Sequence, residues 1–176
     1  VRKEFLIHES SLLCIHPALT KATDCYGCNC FSINEYVDFC LELLKKNGIK
    51  TIDLYPSNKI TECFARHINS YLIGPDGSLF KCWHDLGNSE MCIGNIKDRV
   101  IKNPSIVSRY IIATDPYFDS NCRKCSFLPI CGGGCPNERY LNLYSSQNNN
   151  TCTIFKHRLK ELITAHLELK EKSDKF

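Results

Sequence analysis

Cys122-Arg123-Lys124-Cys125-Ser126-Phe127-Leu128-Pro129-Ile130-Cys131-Gly132-Gly133-Gly134-Cys135-Pro136 places four thiols within fourteen residues, separated by two, five and three. A segment this short buries little apolar surface, so something other than a core must hold its shape. Clustered thiolates on a flexible backbone are the donor set of soft metal centres. The three glycines between the last two thiols allow positive φ and a close approach of backbone to a metal. Amides exposed there can donate to cluster sulfurs. Pro136 then ends the loop.

The rest of the composition bounds what such a loop can serve. The chain has 176 residues, enough for one domain or a small pair. A net charge of +3, with no block of lysines and arginines, argues against nucleic acid or an anionic membrane as partner. No apolar run approaches the roughly 20 residues of a membrane span. Glu4 falls where a signal peptide would begin its apolar stretch, so the sequence reads as cytoplasmic. Val1 stands in place of an initiator Met, and we expect a fragment or a trimmed chain. Thirteen cysteines is the outlying number. An odd count cannot be closed by intramolecular disulfides alone, and the cytosol keeps thiols reduced, which favours metal binding over a disulfide framework.

Upstream of the loop, Phe5-Leu6-Ile7 and Leu12 to Ile15 read as short buried strands, followed by a loop with Cys25, Cys28 and Cys30. Ser32-Ile33-Asn34-Glu35 is a capping box. It opens a helix with Tyr36, Phe39, Cys40, Leu43 and Leu44 on one face and Gly48 as its C-terminal stop. Ile49 to Tyr55 is predicted to return as a strand, making residues 1–56 a βα unit. Residues 57–176 make the second part of an α+β chain. There Asn69 to Ile73 and Ser78 to Cys82 form a hairpin, with Gly77 as the left-handed residue of its turn. Cys63 and Cys82 fall near the bases of its two arms. A loop with Cys92 and Gly94 precedes a helix over about 104–113, opened by Asn103-Pro104. After the cysteine loop come a short polar, helical segment to Tyr144, a turn at Asn148 to Asn150, and a last helix from Thr153 to about Lys170. That helix carries Phe155, Leu159, Leu162, Ile163 and His166 on one face, and Cys152 immediately precedes it.

In order, the thiols read Cys63-x13-Gly77-x4-Cys82, a gap, Cys122-x2-Cys125-x5-Cys131-x3-Cys135, a gap, then Cys152. This pattern resembles the SPASM domain, the C-terminal extension of radical S-adenosylmethionine enzymes that modify ribosomal peptides and proteins. All seven cysteines and the glycine of that motif are present, over about half the chain. The unit at 1–56 looks like the last piece of the partial (β/α) barrel that carries the catalytic core in such enzymes. The resemblance implies two auxiliary 4Fe-4S clusters with crossed ligands. Cys122, Cys125, Cys131 and Cys152 would hold one; Cys63, Cys82 and Cys135 would hold the other. It implies electron relay, substrate binding or both, with a peptide or protein substrate and a radical core domain as partners.

Two departures limit the implied chemistry. The family's Cys-x3-Cys-x2-Cys motif is absent, and Cys25-x2-Cys28-x-Cys30 has the wrong spacing, so this chain alone should not start radical chemistry. S-adenosylmethionine would enter only if a catalytic core precedes it. Some members also carry an eighth cysteine shortly before the position of Cys63. Here the fourth ligand of that cluster would be Cys92 or Cys40, or one iron would stay open to a substrate thiol. Cys14 and Cys40 read more simply as buried small hydrophobes. Cys25, Cys28 and Cys30 could bind zinc or iron with a distant partner, or be loop thiols. His84 reads as a surface residue and His166 as a core-edge one. The principal rival function is a zinc-stabilised binding module, with Cys122, Cys125, Cys131 and Cys135 as a four-thiolate site.

Overall fold

Both ends of the first helix are written in the sequence. In the computed structural model, which describes residues 31–58 and 63–173, α1 spans Ile33–Asn47. The Glu35 N–H donates to Ser32 Oγ at 3.3 Å, and the Ser32 N–H donates to Glu35 Oε2 at 2.8 Å, completing the capping box. Gly48 closes the helix at φ 66°, its N–H donating to the carbonyls of Leu43 and Leu44. The buried stripe is Val37, Cys40, Leu41 and Leu44, one position on from a stripe starting at Tyr36. Tyr36, Phe39 and Leu43 are only half-buried. A one-residue shift turns the face by about 100°, and Phe39 spends its ring on Phe31 at 5.6 Å.

Ile49 to Tyr55 is not a strand. Ile49 and Leu54 are buried, but the backbone between them joins no ladder among the described residues. Burial alone does not make a strand; a hydrogen-bonded neighbour does. The expected strands at 5–7 and 12–15, and Cys14, Cys25, Cys28 and Cys30, lie outside the described residues. The last helix, α6 (Ile154–Ser173), packs on α1 and buries Phe155, Leu162 and Ala165. It is interrupted at Arg158 (φ −132°, ψ 30°), whose guanidinium donates to Asp38 at 2.6 Å and Glu161 at 2.9 Å. His166 lies half-buried against the Tyr55 ring, centroids 5.1 Å apart.

The chain divides into two compact units: α1 and α6 belong to one, residues 57–153 to the other. The second unit is built on a small antiparallel sheet in the order β1 (Leu72–Ile73), β2 (Ser78–Phe80), β3 (Gly94–Asn95) and β4 (Val100–Ile101). Register pairs Leu72 with Phe80, Leu79 with Gly94, and Gly94 with Ile101. The predicted hairpin is present but shorter than expected. Its turn holds Pro75 and Asp76, with the Gly77 N–H donating to Gly74 O at 3.0 Å and Gly77 at φ 85°. A Cβ on Gly77 would meet Asn95 and Ile96 at 3.1 Å. The sheet is too small and too open to be a barrel.

Under it sit Ala65, Cys82, Ile93, Ile106, Tyr110 and Tyr140. The helix expected over 104–113 is α-helical only as α2 (Pro104–Ser108); Arg109–Ala113 forms a π-turn, closed by the Thr114 N–H donating to Arg109 O at 3.1 Å. The widened turn carries Tyr110 into the core, stacked on Tyr140 at 5.0 Å. Two single turns follow, α3 (Ser120–Arg123) and α4 (Leu128–Cys131), then α5 (Pro136–Tyr144). The architecture is α+β. Among the described residues, no helix is long and apolar enough to cross a membrane.

Candidate metal centre

Gly132, Gly133 and Gly134 all take positive φ, at 61°, 82° and 74°. Two arginines hold this run by its carbonyls. Arg66 donates to Gly132 O at 3.2 Å and to Thr114 O at 2.8 Å; Arg139 Nε donates to Gly133 O. A Cβ on Gly133 would lie 2.5 Å from Pro116, and one on Gly134 would lie 1.9 Å from the Thr151 carbonyl oxygen. Only glycine allows both contacts. The packing sets the Cys131 to Cys135 loop against the backbone that leads into Cys152.

The seven motif cysteines are free thiols in varied surroundings, as are Cys40 and Cys92. Cys63, Cys82 and Cys135 each occupy the N-cap position of the helical turn that follows, at 64–66, 83–85 and 136–144. Amides and the positive end of a helix favour a thiolate at that position. Cys82 is buried, Cys63 exposed and Cys135 half-buried. Burial pushes the Cys82 thiol up to about 11, opposed by the His84 amide and reinforced by Asp85, Cys135 and Cys63. Cys63 and Cys135 therefore stand within electrostatic reach of Cys82, though far from it in sequence.

Cys122 lies in α3, beneath an Asp119 cap. Asp119 Oδ1 accepts from the amides of Asn121 at 2.8 Å and Cys122 at 3.3 Å. Arg139 reaches back from α5, donating from Nη1 to Asp119 Oδ2 at 3.1 Å and from Nη2 to Cys122 Sγ. Burial opposes ionisation of Asp119, but those amides and Arg139 outweigh it and hold the carboxyl below its usual range. Burial raises the Cys122 thiol, and the Arg139 charge works against that rise. Cys125, ahead of α4, and Cys131, its last residue, are half-buried, and the Cys152 N–H donates to Asn150 Oδ1 at 3.0 Å.

Among the described residues, no three His, Cys, Asp or Glu side chains are gathered closely enough to hold a metal ion as they stand. Of the two further thiols considered, Cys92 donates to Gly94 O at 3.2 Å and Cys40 belongs to the core face of α1. His84 is exposed.

The charged side chains that sequence reasoning passed over are the buried ones. Among the described residues these are Arg66, Lys81 and Arg139 against a single anion, Asp85. Lys81 donates to the carbonyls of His67 at 2.6 Å and Ser70 at 2.8 Å, beneath the Tyr71 ring. Asp85 accepts from Tyr110 Oη at 2.7 Å and Asn137 Nδ2 at 3.1 Å. An isolated arginine has no local signature, so only burial exposes its role. The donor set is soft and the interior is richer in cations than anions, which suits an added group that is anionic through its thiolates. No protein-family model matches the chain, and no curated protein matches it.

Proposed function

We propose that this chain is an auxiliary iron–sulfur unit of a radical S-adenosylmethionine enzyme that modifies a ribosomal peptide or protein, a SPASM-like domain working in the cytoplasm. The observation that carries this reading is the spacing of Cys63, Gly77, Cys82, Cys122, Cys125, Cys131, Cys135 and Cys152. Cys63 and Cys135 both act electrostatically on Cys82, which supports the grouping that the resemblance implies. Cys63, Cys82 and Cys135 would hold one 4Fe-4S cluster; Cys122, Cys125, Cys131 and Cys152 would hold the other. When bound, such clusters supply one-electron transfer, and an open iron on the first would take a substrate thiol.

The chain's own residues have separable tasks. Arg66 and Arg139 anchor the glycine run between Cys131 and Cys135. Gly134 keeps the Cys152 segment close. Arg139 offsets thiolate charge at Cys122. Without a Cys-x3-Cys-x2-Cys motif in this sequence, the chain by itself makes no deoxyadenosine from S-adenosylmethionine. The deciding experiment is anaerobic reconstitution followed by iron, sulfide and zinc analysis. Brown protein with iron and sulfide in equal amounts, enough for two cubanes, supports the proposal. Colourless protein with stoichiometric zinc and no sulfide replaces it with a zinc-stabilised module.

A further inference from the structure

Arg139 is tied to two segments of the cysteine loop at once. Its backbone N–H donates to Cys135 O at 3.1 Å, while its guanidinium meets Cys122 Sγ, Asp119 and the Gly133 carbonyl. The side chain is buried, and a guanidinium keeps its charge at every accessible pH. A structural anchor would need only the carbonyl and the carboxylate. The contact with a thiol sulfur puts a fixed positive charge on an atom assigned as a cluster ligand. Hydrogen bonds to ligand sulfurs and local charge are among the levers that set iron–sulfur potentials.

We infer that Arg139 raises the reduction potential of the cluster held by Cys122, Cys125, Cys131 and Cys152, with Asp119 moderating the effect. The inference rests on the iron–sulfur reading. In the redox step the oxidised cluster accepts one electron from a one-electron donor and no bond is made or broken. The site, already anionic through four thiolates, gains one negative charge. The Arg139 guanidinium stabilises that added charge because it is already in place and shielded from water. Asp119, on the other side of the guanidinium, offsets part of it.

The test is voltammetry and EPR-monitored dithionite titration of the full chain, anaerobically reconstituted. The signal lost in Cys152→Ala identifies the cluster in question. Arg139→Gln is expected to move that signal alone to more negative potential. Asp119→Asn, which keeps a good N-cap for α3, is expected to move the same signal to more positive potential. Two loaded variants with both signals at wild-type potentials would overturn the inference, as would a shift confined to the other cluster. If Arg139→Gln fails to load, Asp119→Asn decides: an upward shift supports the inference and an unmoved signal overturns it. Wild-type protein with zinc and no sulfide overturns the iron–sulfur reading, and this inference with it, before any variant is compared.

Discussion

Gly134 lies so close to Thr151 that a Cβ on the glycine would stand 1.9 Å from the threonine carbonyl oxygen. This contact joins two parts of the motif by backbone packing: the loop that ends at Cys135 and the segment that leads into Cys152. Since φ at Gly134 is 74°, a side chain would be strained even without the contact.

Gly134→Ala is therefore expected to cost more than a glycine replacement made in open space. Gly87, at φ 83° with nothing within 4 Å of a built Cβ, supplies the comparison. Gly87→Ala should lose only the conformational term, about 1–2 kcal/mol. Gly134→Ala adds an overpacking cost of about 1–3 kcal/mol. Urea denaturation of both variants measures the difference, and equal losses would mean that Thr151 does not constrain the loop.

Tyr110 presents a second point of tension, a hydroxyl buried between Asp85 and Asn137. Its O–H donates to Asp85 Oδ2 at 2.7 Å and accepts from Asn137 Nδ2 at 2.8 Å. Burial, followed by the neighbouring carboxylate, raises its pKa, so the phenol stays protonated and can serve as donor. Tyr110→Phe should destabilise the fold by about 1–3 kcal/mol, because it leaves buried polar partners short of a bond. Thermal denaturation of the variant would show little change if the network contributed nothing.

The capping box of α1 gives a pH dependence with a definite sign. The Glu35 carboxyl is lowered below 4.5, first by the backbone N–H of Ser32 and then by its hydroxyl. A folded pKa below the unfolded one means that the stabilisation is present above pH 4.5 and is lost as pH falls through the folded value. Glu35→Gln should flatten the stability profile in that acid window. Ser32→Ala should cost about 1 kcal/mol near neutrality. Circular dichroism melts from about pH 3, below the usual range of a free glutamate, to about pH 7 read both.

The crossing of ligands is tested by two cysteine variants. Cys152→Ala should damage the cluster of Cys122, Cys125 and Cys131 and spare that of Cys63 and Cys82. Cys135→Ala should do the reverse, because the Cys82 environment reaches Cys135. Mössbauer and EPR spectra separate the outcomes. Loss of the same signal in both variants would make 122–135 a self-contained four-thiolate site.

How much of this was legible from the chain follows from the range of each interaction. The capping box at Ser32, the left-handed stop at Gly48, the turn at Gly74 to Gly77 and the positive φ of Gly132 to Gly134 were all readable. Each depends on residues a few positions apart, whose dihedral limits and short hydrogen bonds act before any core forms. The cysteine spacing likewise picked out the thiols proposed as ligands without help from the fold. Tertiary structure decided the rest. Two-residue strands such as β3 and β4 are too short to show a period; β3 exists because β2 offers an edge, and β4 because β3 does. The apolar residues of 49–55 looked like a strand but found burial without a ladder. The π-turn at Arg109 depends on where Tyr110 must point to reach Asp85, and the buried positions of Arg66, Lys81 and Arg139 depend on partners such as Thr114, His67 and Asp119 that lie well away in sequence. Desolvation and contact between remote segments set these features, and neither is written in any local run of residues.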